Sequence, residues 1–125
     1  MTRFLLVHRL DESRPDAYSP SAEVVAGVGR LMGEMTRAGV VLAAEGVLPS
    51  STGAKVRASG GKRTVIDGPF TEAKEVIGGF ALLQVRSKEE AIEWAVRFAE
   101  AVGDVEVEVR QVSEGPPLEP GAAPA

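Results

Sequence analysis

Gly79-Phe80-Ala81-Leu82-Leu83-Gln84-Val85-Arg86 runs directly into Ser87-Lys88-Glu89-Glu90 and a helical pattern that stops at Gly103. The first run is apolar on both alternating faces from Phe80 to Val85, the pattern of a strand covered on both sides. Ser87 with Glu90 three residues later is a capping box. Ala91, Trp94, Ala95, Phe98 and Val102 then line one face of a helix. A strand buried on both faces must lie inside a sheet, and the helix that follows supplies one cover.

A second run of the same kind opens the chain. Arg3 to His8 places Phe4 and Leu6 on one face and Leu5 and Val7 on the other, which predicts another central strand. After a polar, proline-bearing loop, Ala22, Val25, Val28, Leu31, Met32 and Met35 recur at helical spacing. This predicts a helix over 20–38 with Ser19 as cap, Pro20 in the first turn and Gly39 as the stop. Its interior glycines, Gly27, Gly29 and Gly33, each cost about 1 kcal/mol relative to alanine and suggest close approach of a neighbouring element. Val40 to Ala44 reads as a strand, and Ala54 to Ser59 and Lys62 to Asp67 read as a hairpin turning at Gly60-Gly61. Ser50-Ser51-Thr52-Gly53 reads as a flexible loop. Val105, Val107 and Val109 alternate with Glu106, Glu108 and Arg110, so the last strand has one wet face and belongs at an edge.

With the hairpin set aside, the order is strand, helix, strand, strand, helix, strand. That is the ferredoxin-like split βαβ arrangement of the α+β class, with an inserted hairpin and both helices on one face of an antiparallel sheet. Two helices cannot cover both faces, so the doubly apolar strands call for a second subunit on the other face and hence a homodimer. Residues 1–112 form the expected domain. Four of the eight prolines fall in the last ten residues, and 113–125 reads as a disordered Pro/Gly-rich tail.

Composition narrows the function. With no cysteine and only His8 as histidine, neither a thiolate nor a histidine-rich metal site is expected, and no cofactor is predicted. A net charge of −4 with interspersed signs gives no basic stripe for nucleic acid and no polybasic membrane patch. The apolar run at the amino terminus is too short for a signal peptide or a membrane span, so a cytoplasmic protein acting on small molecules or proteins is expected. No phosphate-cradling glycine loop or serine nucleophile elbow is present.

The densest group of ionisable residues is Asp67-Gly68-Pro69-Phe70-Thr71-Glu72-Ala73-Lys74-Glu75, followed by Gly78-Gly79. Asp67 before Gly-Pro satisfies turn chemistry, and it is equally a candidate general base at the rim of a cleft. Lys74 is a candidate anchor for an anionic substrate, with Glu72 and Phe70 as further candidate substrate-binding residues; the acids also suit a solvated turn. Glu45 and His8 are candidate proton partners, with capping or ion pairing the plainer role for Glu45 and core packing for His8.

This stretch resembles the YCII-related family in its DGPF-domain branch, named for the tetrapeptide at 67–70. The similarity extends to Phe4-Leu5-Leu6-Val7, Ala38-Gly39-Val40, Glu45-Gly46-Val47-Leu48, Ala91-Ile92-Glu93-Trp94-Ala95 and Val107 to Val112. The resemblance implies a dimeric α+β barrel in which two sheets enclose a cleft. It also implies two functional classes. One is a small cofactor-independent acid/base enzyme, isomerase- or hydrolase-like. The other is a noncatalytic ligand-binding or regulatory module associated with extracytoplasmic-function sigma factors. One branch of the family carries a histidine early in the first helix, proposed to act with an aspartate. This chain has Ser21-Ala22-Glu23-Val24 there, so that pair is not carried over.

Overall fold

The computed structural model describes residues 1–114; of the expected tail, 115–125 lie outside them. The elements are β1 (Thr2–Leu10), α1 (Ala22–Arg37), β2 (Val41–Gly46), β3 (Ala54–Ser59), β4 (Lys62–Asp67), β5 (Val76–Val85), α2 (Lys88–Val102) and β6 (Val107–Gln111). Four strands pair antiparallel in the order β2-β5-β1-β6, while β3 and β4 form a separate two-stranded sheet. The two runs that read as central strands are the two inner strands, and the alternating Val107/Val109 strand is at an edge. This is the α+β, ferredoxin-like order with the hairpin inserted between β2 and β5.

Register decides which side of the sheet each residue covers. Phe4 lies opposite Leu83, and Leu6 lies opposite Ala81 on β5 and Val109 on β6. These positions face the helices, where Phe4, Leu6, Leu83 and Val85 pack with Leu31 and Met35 of α1 and Ala91 and Ala95 of α2. Leu5 opposite Leu82 and Val7 opposite Phe80 occupy the other face, which no helix among the described residues covers; Phe80 is 37% exposed there.

Three local expectations change. Helix α1 begins at Ala22, later than the expected Pro20, because the Ser21 hydroxyl, in place of Ser19, accepts from the Val24 amide at 3.2 Å. Of the α1 glycines only Gly27 faces another element, with Ala101 of α2 3.6 Å from where its Cβ would be. A Cβ on Gly29 would meet nothing within 4 Å, so close packing accounts for one of the three positions. Ser50–Thr52 forms a short 3-10 turn with Ser50 buried, in place of a flexible loop.

The hairpin stands off the body as an arm. Every residue of β3 and β4 is exposed, including the paired Val56 and Val65 at 73% and 64%. It carries Lys55, Arg57, Lys62 and Arg63 against Asp67, a net +3; because the whole chain is −4, the remainder is −7. Among the described residues no helix is long and apolar enough to cross a membrane.

Candidate functional site

His8 lies near the end of β1, on the helix-facing side that Phe4 and Leu6 also occupy, where apolar packing gives way to open space. The imidazole fits because β5 has no side chain beneath it. A Cβ on Gly78 would stand 2.8 Å from His8 Nε2, and one on Gly79 would stand 2.8 Å from His8 Cε1. The Gly-Gly pair of the sequence is therefore a seat for this ring. From α2, Phe98 packs beside it with ring centroids 5.2 Å apart. The ring is half-buried, and removal from water lowers its pKa below the ordinary histidine value. At neutral pH His8 is thus an uncharged imidazole able to accept a proton.

His8 lines a cavity of about 840 Å³ between the helices and this end of the sheet. Val24, Val28, Met32 and Phe98 form apolar walls, and Tyr18, Glu75 and Asp104 bring polar atoms to the lining. The volume suits a small organic ligand. Among the described residues, no group of three or more His, Asp or Glu side chains is placed to hold a metal ion.

The Asp67-Gly68-Pro69-Phe70 turn does a different job. A Cβ on Gly68 would be 1.7 Å from the Ser50 carbonyl oxygen, so only glycine lets the two backbones touch. The Gly68 amide donates to the Gly53 carbonyl (2.9 Å) and the Phe70 amide to Ser50 Oγ (2.8 Å). Ser50 in turn donates to Glu12, through its amide to Oε2 (3.0 Å) and through its hydroxyl to Oε1. Tyr18 donates its hydroxyl to the same Oε2 at 2.8 Å. These bonds from Ser50 and Tyr18 lower the Glu12 pKa, while desolvation and the Glu12 carboxylate push the Tyr18 phenol up to about 12. The result is a latch joining the β1–α1 loop, the β2–β3 connection and the β4–β5 connection, with Tyr18 at the cavity wall.

Of the residues singled out in the sequence, His8 faces the cavity. Glu45 contributes to the lining, but its register opposite Phe80 puts its side chain on the helix-free face of the sheet, away from His8. Asp67 ends β4 opposite Ala54 and is exposed. Glu72 and Lys74 are exposed beyond the turn, and Lys74 is close enough to Asp11 to help lower its pKa, after Ser13 and Arg14. Phe70 is half-buried with the Lys55 ammonium 4.5 Å above its ring. Among the described residues, no ion pair joins Asp67, Glu45 and Lys74. Glu12, Ser50, Tyr18 and Asp104 carry no motif that marks them. Glu12 and Ser50 are 38 positions apart, and no local spacing joins them.

A family model for the YCII-related domain matches residues 5–114. The chain belongs to the YCII-related family. An uncharacterized protein of Rhizobium meliloti (strain 1021) is 32% identical over 87 residues, covering 68% of this chain and 70% of that protein. The family model's match takes in His8 on β1 and the whole of the β5 strand that seats it.

Proposed function

We propose that this YCII-related protein is a small cofactor-independent enzyme of the cytosol that moves a proton on a small molecule held in the His8 cavity. One observation supports this above the others: an uncharged, half-buried imidazole faces a cavity with apolar walls, seated on a glycine pair where a Cβ would stand 2.8 Å from the ring. A general base needs a pKa near or below working pH and access to the reacting proton, and His8 meets both conditions. The Asp67-Gly68-Pro69-Phe70 turn supports placement in the DGPF-domain branch, with Gly68 and Phe70 as structural members of it.

The uncovered sheet face supports a homodimer. Leu5, Val7, Phe80 and Leu82 form an apolar surface on it, and Glu45 shares that face, so a second copy would bring Glu45 into the cleft between sheets. In such an assembly Asp67 remains a candidate general base and Lys74 a candidate anion anchor. The apolar cavity walls favour, as a second reading, a noncatalytic ligand-binding module of the sigma-factor-associated kind.

His8 is the only histidine, so its ring resonances report on the cavity without ambiguity. Compounds that move those resonances are incubated with the protein in heavy water. Exchange of carbon-bound hydrogen above the buffer rate, lost in His8→Gln, is expected of the enzyme. Binding without exchange selects the binding module, and a ligand screen that leaves His8 unmoved discards the cavity as the site.

A further inference from the structure

Acidic side chains gather at one end of the cavity lining. Three adjacent strands deliver an acid to the same end of the sheet: Asp11 just past β1, Glu75 just ahead of β5, whose Val76 lies opposite Leu10, and Asp104 ahead of β6, whose Val107 lies opposite His8. All three line the cavity with Asp16. Two cations, Arg9 and Arg14, share the lining with these acids. Arg14 lies 3.6 Å from Asp16, Lys74 is outside the lining beside Asp11, and Arg9, opposite exposed Ile77, is itself exposed. Asp11 accepts from the Ser13 amide (2.9 Å) and hydroxyl (2.6 Å). Among the described residues, Glu75 and Asp104 have no ion pair.

We propose that the cavity takes a ligand with an apolar body and a single amine end, the body lying along Val24, Val28, Met32 and Phe98 and the ammonium held by Glu75 and Asp104. The inference rests on the His8 cavity being the small-molecule site and adds the chemical class of what enters it. An anionic ligand of the same shape would meet a lining in which five acids (Asp11, Asp16, Glu45, Glu75 and Asp104) outnumber two cations (Arg9 and Arg14), whereas an ammonium is favoured by that excess of carboxylates. An uncharged His8 at the cavity floor adds no positive charge to offset this.

Phenethylamine, phenethyl alcohol and phenylacetate share an aromatic body and differ in the charge of their end. Titration of each into the full chain, followed by the His8 ring resonances, is expected to rank them amine, alcohol, acid. The amine should bind about tenfold tighter than the acid, as two partly exposed charge pairs allow. In the double variant Glu75→Gln/Asp104→Asn, the ranking should collapse to near equality while the alcohol is unaffected. Glu75 and Asp104 are both exposed, so neither change removes core packing, and the alcohol serves as the control for an intact cavity. Phenylacetate binding as tightly as the amine, or a ranking unchanged in the double variant, overturns the charge selection and leaves the cavity as a site. Failure of all three to move His8 overturns the site and the inference together.

Discussion

Gly78 and Gly79 differ in what a side chain would strike. At Gly78 a Cβ meets the His8 ring at 2.8 Å and Leu10 Cδ2 at 2.9 Å, both ends of side chains that can swing away. At Gly79 it also meets the main-chain oxygen of Glu45 at 2.8 Å, and that oxygen belongs to the neighbouring strand. Gly78→Ala should therefore fold and shift the His8 resonances. Gly79→Ala should force β2 away from β5 and cost roughly 1–3 kcal/mol in chemical denaturation, the usual range for overpacking. The pH dependence has a fixed sign. Burial lowers the folded-state pKa of His8, so the unfolded chain takes up its proton first as pH falls. The stability linked to an uncharged His8 is complete above about 6.5, the ordinary histidine value, and is lost as pH drops towards the folded pKa. Unfolding of the wild type and His8→Gln, compared above and below that value, should show a smaller acid loss in the variant; equal losses would mean the ring is not desolvated. Carboxylates such as Glu12 titrate in both proteins and cancel in the difference.

The elements were legible wherever their cause is local. Runs apolar on both faces placed β1 and β5 inside the sheet, alternation placed β6 at its edge, and the Ser87–Glu90 box placed the start of α2, where Ser87 Oγ accepts from the Glu90 amide at 3.2 Å. Helix α1 slipped by two positions because Ser19 and Ser21 are equivalent caps by composition, and the local backbone decides between them. His8 was legible as a residue, although its seat on β5 needed the register. The latch was not legible, since Ser50 is bonded by Glu12 and Phe70 from different connections and each bond exists only after the sheet has formed. Ser50→Ala removes the acceptor of the Phe70 amide and the hydroxyl bonded to Glu12 Oε1 at once, leaving the Ser50 amide bond to Oε2. It should cost about 1 kcal/mol and speed hydrogen exchange at Phe70 while leaving β1 and β5 protected; unchanged exchange at Phe70 would show that the latch does not hold the turn.

For the whole molecule, the proposed dimer stands or falls on the helix-free face of the sheet. Phe80→Asp puts a charge among Leu5, Val7 and Leu82 on that face, outside the helix-packed core. Sedimentation should find the wild type dimeric at micromolar concentration and the variant monomeric yet folded; a monomeric wild type would remove the dimer from the proposed function. The hairpin imposes a second, longer-ranged behaviour. An arm of net +3 on a remainder of net −7 makes each copy an electric dipole whose opposite ends attract across molecules. Salt at about 0.15 M, where the screening length falls to about 8 Å, weakens that attraction. The protein should therefore salt in, dissolving least readily in dilute buffer, and a variant with Lys55, Arg57, Lys62 and Arg63 changed to glutamine should lose that dependence on ionic strength.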